Sequence, residues 1–356
     1  MALVTAVRRL FAPGNGSRRV GAEIELIAVT DEARPRTVPP ELIAAGFDPG
    51  FVDAALPSFE PGGQLELSPP PQPSAGQLIR EVDRLVARAT AIAAVRGVRL
   101  EGVGVNPYHR CDEVPLRTTT PRYLAMQRAF DEVGPQGRRM MRLTASLQIT
   151  VDLLPGRAGQ EQWLVANLAG PALAAGFANS PWLEGWPAGI PGARTRIWHG
   201  ADLRRTGYDG RHLDLADPIG GYAAFAAAAP RLAIPEAADP AYHLTTLFPP
   251  VRPRGGCLEL RYLDAQPAER IGEAITTVST LLLDDRVRRE ALELLLPVAG
   301  DLEGAWLAAA DGWSPYTAPL LSIVAGGLPE PPPHREIVPV GPGATHRGLR
   351  RVPGTG

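Results

Sequence analysis

The chain has 356 residues, which at about 150 residues per domain allows two domains or one large one. Its apolar share of 45% and charged share of 21% are those of a globular protein with a sizeable core. The formal net charge is −2, and all 36 basic residues are arginine. Without lysine there is no Schiff-base or pyridoxal-phosphate lysine and no Walker-type phosphate loop, and the near-neutral balance gives no electrostatic footprint for nucleic acid.

Met1–Val20 carries Arg8 and Arg9 but neither a long apolar core nor a small-residue cleavage site, so it does not read as a signal peptide. The first strand pattern is Val20–Val29. Ala22, Ile24 and Leu26 fall on one face and Glu23 and Glu25 on the other, because residues i and i+2 of a strand share a side. Gln64–Ser68 repeats the layout, with Gln64 and Glu66 opposite Leu65 and Leu67. A long helix is expected over Ser74–Arg96, with Ser74 as N-cap, Leu78, Val82, Leu85, Val86 and Ala89 as its apolar stripe, and Gly97 at its end. Pro121–Val133 reads as a shorter helix.

Thr144–Leu153 is the third strand, with Leu147, Ile149, Val151 and Leu153 behind and Ser146, Gln148, Thr150 and Asp152 in front. Gly159–Phe177 and Ala268–Leu296 each read as one helix. The uncharged run Gln162–Leu183 contains Asn167, Pro171, Asn179 and Pro181, so it suits a buried helix and turn better than a membrane span. In the fourth strand, Cys257–Leu263, the polar face carries Glu259 and Arg261. Residues 1–325 are expected to form a single domain. The Pro/Gly-rich 326–356 reads as a mobile tail without a core. Two cysteines, Cys111 and Cys257, without metal-type spacing fit a reducing compartment and a cytoplasmic protein.

Four strands thus share an apolar back and a front of carboxylates, amides and arginine. Glutamate is a poor strand former, yet Glu23, Glu25, Glu66 and Glu259 sit at strand centres. Like carboxylates on one face repel unless a cation lies among them, and hard divalent ions take oxygen ligands. The segment Glu60-Pro61-Gly62-Gly63-Gln64-Leu65-Glu66-Leu67 adds a tight turn before the second strand, flanked by Glu60 and Glu66. Such a face suits a nucleotide bound through metal and arginine. Other polar residues have plainer readings. His109 and Cys111 are loop neighbours, Cys257 is a small packed side chain, His243 orients the segment before Pro249-Pro250, and Asp284-Asp285 marks a helix end.

Gly21-Ala22-Glu23-Ile24-Glu25, Glu60–Leu67, Ala178-Asn179-Ser180-Pro181, the Arg194–Gly207 stretch and His243–Asp264 together resemble the plant- and bacterial-type glutamate–cysteine ligases, in order along Val20–Leu296. The likeness is strongest to the actinobacterial branch that serves ergothioneine synthesis. It implies an α+β fold like the glutamine synthetase catalytic domain, a curved antiparallel sheet with helices packed behind it. It also implies an ATP-dependent ligase that joins the γ-carboxylate of L-glutamate to the α-amine of L-cysteine through a γ-glutamyl phosphate. By matched position, the resemblance assigns Glu23, Glu25, Glu60, Glu66 and Glu259 to Mg²⁺, with Mn²⁺ as the alternative ion. Gln148 becomes a further metal or substrate ligand, and Arg254 and Arg261 hold the phosphate or the glutamate carboxylates. Arg194 and Arg205 follow as anion binders, and Trp198 as packing or a wall beside the adenine. The 34 residues Tyr208–Ala241 are fewer than relatives carry there. The acceptor therefore stands open between L-cysteine and another small amino acid or amine, and a non-catalytic glutamate- or nucleotide-binding homologue is the other class. No nucleic acid or membrane partner is implied.

Overall fold

The computed structural model describes residues 2–47 and 57–328. Its centre is an antiparallel seven-stranded sheet. The strands are β1 (Val20–Thr30), β2 (Ser58–Phe59), β3 (Leu65–Leu67), β4 (Val98–Glu101), β5 (Ser146–Asp152), β8 (Val251–Pro253) and β9 (Cys257–Asp264), with β6 (Trp182–Leu183) and β7 (Trp186–Pro187) forming a separate hairpin. The sheet runs β2-β3-β1-β5-β9-β8, with β4 paired to the far end of β1. It is open, and all four expected strands lie in it side by side.

The back of the sheet is dry. Ile24, Leu65, Leu147, Ile149, Leu258 and Leu260 are almost wholly buried, each worth about 1.5–3 kcal/mol of transfer free energy. Over them pack two helices, Ala75–Ala94 and Ala268–Leu283, through Leu78, Val82, Leu85 and Ala89 from the first and Ile271, Ala274, Ile275 and Val278 from the second. Ser74 caps the first of these helices, its hydroxyl accepting from the Gln77 amide at 3.3 Å. The α+β layout with helices behind an antiparallel sheet is as expected.

Two long helical readings break. Gly159–Phe177 divides into Gly156–Leu168 and Gly170–Gly176, since Pro171 in the first turn of the second helix offers no N–H to continue the first. Ala268–Leu296 divides at Asp284, an extended residue whose carboxylate accepts from the amides of Arg286 and Val287 and so starts a new helix, Asp285–Leu295. The helix Thr317–Gly327 runs through the expected start of the tail at Gly326. The rest of that tail, 329–356, lies outside the described residues.

Candidate active site

The strand register decides which polar side chains meet. Glu25 on β1 stands directly opposite Glu66 on β3, Glu23 opposite Gln148 on β5, and Glu259 on β9 between Thr150 and Arg252. A row of charge therefore crosses the front of the sheet. Glu60 joins it through the turn. The Gly63 amide donates to the Glu60 carbonyl at 2.8 Å, and the Glu60 amide to the Gln64 carbonyl at 2.9 Å, closing the β2–β3 hairpin. Gly63 has φ +93°, and a Cβ on Gly62 would lie 2.2 Å from the Arg142 carbonyl oxygen, so this turn requires glycine at both positions.

In front of the row is a cavity of about 300 Å³. Glu23, Glu25, Glu60 and Glu66 line its carboxylate end, and Arg252, Arg254 and Arg261 the other. Met126, Met140, Met141, Trp198 and Phe248 supply apolar wall. A second cavity of similar volume, between Leu168 and Tyr316, is mostly apolar. Its one carboxylate, Asp301, is engaged in capping a helix, so the chemistry sits in the first.

At the carboxylate end, oxygens of Glu25, Glu60 and Glu66 all lie within 4.8 Å of one another. Glu25 is 7% exposed, and its carboxylate accepts from the Ser146 amide (2.7 Å), the Ser146 hydroxyl (2.7 Å) and the Gln148 amide (2.8 Å). Glu66 accepts from the Ser58 hydroxyl at 2.6 Å. No cationic side chain forms an ion pair with these three among the described residues. Burial, followed by the charges of Glu25 and Glu66, pushes the Glu60 carboxyl well above its usual range. Glu25 is likewise raised by burial, against Arg194 and its own hydrogen bonds. Burial, then Glu259 and Glu66, lifts Glu23 to about 7.

The other end has the opposite balance. Glu259, fully buried, lies among three guanidinium groups. Arg252 reaches it at 2.8 and 3.1 Å, Arg254 at 2.6 Å, and Arg261 is in direct contact. Burial alone would raise this carboxyl, but Arg261, Arg252 and Arg254 outweigh it and hold it at about 2. Arg261 also donates to Gln148 at 2.6 Å, and Arg254 stands 3.6 Å from Glu23. The buried Nε atoms of Arg252 and Arg261 have no partner.

Four of the five expected carboxylates line this cavity together with Gln148, Arg254 and Arg261, whereas Glu259 lies fully buried behind the arginines and outside its lining. Three glutamates form the close oxygen set, whereas Glu23 and Glu259 face the arginines. Arg194 lines the cavity wall yet spends both terminal nitrogens on backbone, donating to the carbonyls of Tyr262 (3.2 Å) and Arg261 (2.8 Å). Arg205 is elsewhere. It is 1% exposed, donates to the Pro230 carbonyl and lies 3.6 Å from Asp202, so it fastens the 208–241 region to the body rather than facing the cavity. The same region is held by His243, whose Nε2 donates to the Ala226 carbonyl at 2.8 Å. His109 faces Asn106 and the Pro35 carbonyl instead of forming a pair with Cys111.

Sequence reasoning missed Arg252, although the alternation Val251-Arg252-Pro253-Arg254 puts an arginine within β8 and another just past its end on the same side. It also missed the wall residues Arg122, Tyr123 and Met126, which come from the helix Pro121–Asp131 and carry no periodic sign of their role.

Residues 19–317 match the family described as glutamate–cysteine ligase family 2. The chain belongs to that family. It is 35% identical over 318 residues to the glutamate–cysteine ligase EgtA of Mycolicibacterium smegmatis, covering 79% of this chain and 73% of that one. To EgtA of Mycobacterium tuberculosis it is 33% identical, over 68% of this chain and 62% of the relative. To the chloroplastic glutamate–cysteine ligase of Arabidopsis thaliana it is 31% identical, over 68% and 51%. The chain thus spans between half and three quarters of the length of these relatives. A solved glutamate–cysteine ligase from Francisella tularensis, in complex with AMP, superposes with a TM-score of 0.52 over 89% of this chain and 79% of that one. At 12% identity that likeness speaks for the fold.

Proposed function

We propose that this glutamate–cysteine ligase family member joins the γ-carboxylate of L-glutamate to the α-amine of L-cysteine at the expense of ATP, releasing ADP and phosphate. The observation that carries this reading is the division of one cavity into a cation-seeking end and an anion-seeking end. Family membership and the names of the relatives support it. The product, γ-glutamylcysteine, would serve ergothioneine or related thiol synthesis.

The oxygen set of Glu25, Glu60 and Glu66 fits a hard divalent ion. Glu25 and Glu60 are raised in pKa by burial and by the neighbouring carboxylates, which a cation would relieve. Mg²⁺ would be held there, with Glu23 beside the set and Mn²⁺ as the alternative, whereas Glu259, expected as a further ligand, is already engaged by three arginines and instead orders them. Once bound the ion neutralises phosphate charge during transfer.

Arg254 and Arg261 bind the transferring phosphate or a glutamate carboxylate, and Arg252 joins them. Planar guanidinium forks suit such oxygens and keep their charge at every relevant pH. Gln148, hydrogen-bonded to both Glu25 and Arg261, couples the two ends. The γ-carboxylate oxygen attacks the γ-phosphorus of ATP and ADP leaves. The amine then attacks the acyl carbon, phosphate departs, and the amine gives up a proton. The buried walls of Met126, Met140, Met141 and Trp198 keep water from the acyl phosphate.

Supplying purified protein with Mg²⁺, ATP, L-glutamate and a panel of amino acids tests the reading through phosphate release and product mass. L-Cysteine is expected to be the best acceptor. A larger kcat/KM for another small amino acid would establish the second reading, a γ-glutamyl ligase of different acceptor. No phosphate release with any amine, hydroxylamine included, would leave a non-catalytic glutamate- or nucleotide-binding protein. Among the described residues no helix is long and apolar enough to cross a membrane, and Cys111 and Cys257 are free thiols. Both support a cytoplasmic setting.

A further inference from the structure

The pairing of β5 with β9 is interrupted at one place. Leu147 faces Leu263 and Ile149 faces Leu260, so Gln148 alone confronts both Arg261 and Tyr262. Such a bulge re-aims a side chain and leaves backbone groups without ladder partners. Here the two carbonyls of the bulge, those of Arg261 and Tyr262, are both taken by the Arg194 guanidinium. Arg261 lines the cavity, and its Nη1 joins Gln148 to the buried Glu259.

Arg194 is itself 1% exposed, and its charge must be answered. The nearest carboxylate is Asp264, 3.9 Å from its Nη1 and 3% exposed. Asp264 closes β9, opposite Ser146, whose amide and hydroxyl hold Glu25. It does not line the cavity. Its Oδ2 accepts from the Asn179 amide and the Ser180 hydroxyl, both at 2.7 Å, and Ser180 Oγ in turn accepts from the Arg194 amide at 3.0 Å. A Cβ on Gly104 would come within 2.5 Å of the Asp264 carboxyl carbon, so the backbone there leaves room for this side chain.

We propose that Asp264 is a positioning residue for the ligase reaction. By fixing Arg194 against the bulge carbonyls, it sets the direction in which Arg261 meets the substrate anion. The inference rests on the ligase reading above, and it gives the Ala178–Pro181 motif a function, as the cover that seals this charge pair from water.

Asp264→Asn keeps the acceptor oxygen for Asn179 and Ser180 but removes the charge facing Arg194. Its kcat/KM for glutamate is expected to fall 10- to 100-fold, with the KM for ATP within about twofold, as for the loss of one charge-assisted contact. Arg194→Lys, which keeps the charge and loses the fork across the bulge, is expected to fall by a similar factor. The double variant should fall little further, because both changes release the same bulge. Additive losses would overturn the proposal, since Asp264 would then act only through the 178–181 loop. So would a folded Asp264→Asn enzyme with wild-type kinetics. Should Asp264→Asn fail to fold, the Ser180→Ala variant and Arg194→Lys form the same cycle with the same two outcomes. A wild-type protein that releases no phosphate would overturn this inference and the ligase reading together.

Discussion

The carboxylate end and the arginine end of the cavity are built from the same kind of strand and have opposite electrostatics. On β1, β3 and the turn before β3 three glutamates come within a few ångströms of one another with no arginine paired to them, and Glu25 and Glu60 hold their protons more tightly than usual. On β8 and β9 one glutamate is enclosed by three arginines and stays ionised down to about pH 2. The first end is a site under repulsion that a divalent ion would complete. The second sets three cations around one buried carboxylate, which fixes their geometry and leaves positive charge for an anion. In the proposed reaction the anion-binding arginines are preorganised, and a divalent ion would enter with the nucleotide.

The largest expected effect is at the carboxylate end. Glu66→Gln should lower kcat by about 10²–10³-fold, several kcal/mol of lost cation-dependent stabilisation. It should also leave the metal-free fold as stable as wild type or more so, because one like charge leaves the cluster. Calorimetric melting and turnover measured together check this, and an active Glu66→Gln enzyme would remove that residue from the metal set. At the arginine end, Arg261→Lys keeps the charge but has one nitrogen for the Gln148 and Glu259 contacts that Nη1 makes and no second one to present to a substrate anion. A 10- to 100-fold loss in kcat/KM for glutamate is expected, from about 1.5–3 kcal/mol of one charge-assisted hydrogen bond.

The two ends should also separate by pH. Glu23 is raised from 4.5 to about 7, so the folded chain binds its proton more tightly than the unfolded one. Its contribution favours folding below pH 4.5 and is lost as pH rises through about 7. Glu259 runs the other way, its contribution being present above 4.5 and lost as pH falls through about 2. Between pH 5 and 8 only the carboxylate end should change. The melting temperature gained on adding Mg²⁺ should therefore be larger at pH 8 than at pH 5, since the ion requires deprotonated ligands. An equal gain at both would contradict the assignment. The smallest kinetic effect is expected outside both ends. Arg205→Met should destabilise the fold by about 3 kcal/mol, as for a broken buried pair, with kcat and both KM values within twofold of wild type.

Much of this site was legible because a strand has a period of two. Glu23, Glu25, Gln148, Glu259 and Arg261 lie on the expected face, and the glycines of Glu60–Leu67 announced the turn that adds Glu60. The order of the strands was not legible, since register between distant segments is a tertiary property. It decides that Glu66 meets Glu25 while Glu259 meets Arg252, so five equivalent carboxylates became a set of three and a set of two. Arg194 and Arg205 looked alike as arginines in a motif. Both are buried, and their partners separate them, because one lines the cavity while holding the bulge carbonyls and the other pins a remote segment. The breaks at Pro171 and Asp284 were present as a proline and a capping aspartate inside apolar periodicity, and the local signal prevailed over the period.

The central claim is that one cavity activates a carboxylate with ATP before an amine attacks it. L-Glutamate labelled with ¹⁸O in its γ-carboxylate, incubated with the protein, Mg²⁺, ATP and L-cysteine, tests it most directly. Transfer of one ¹⁸O atom into the released phosphate for each γ-glutamylcysteine formed is predicted. Phosphate free of label, or turnover of ATP with no amide product, would contradict it.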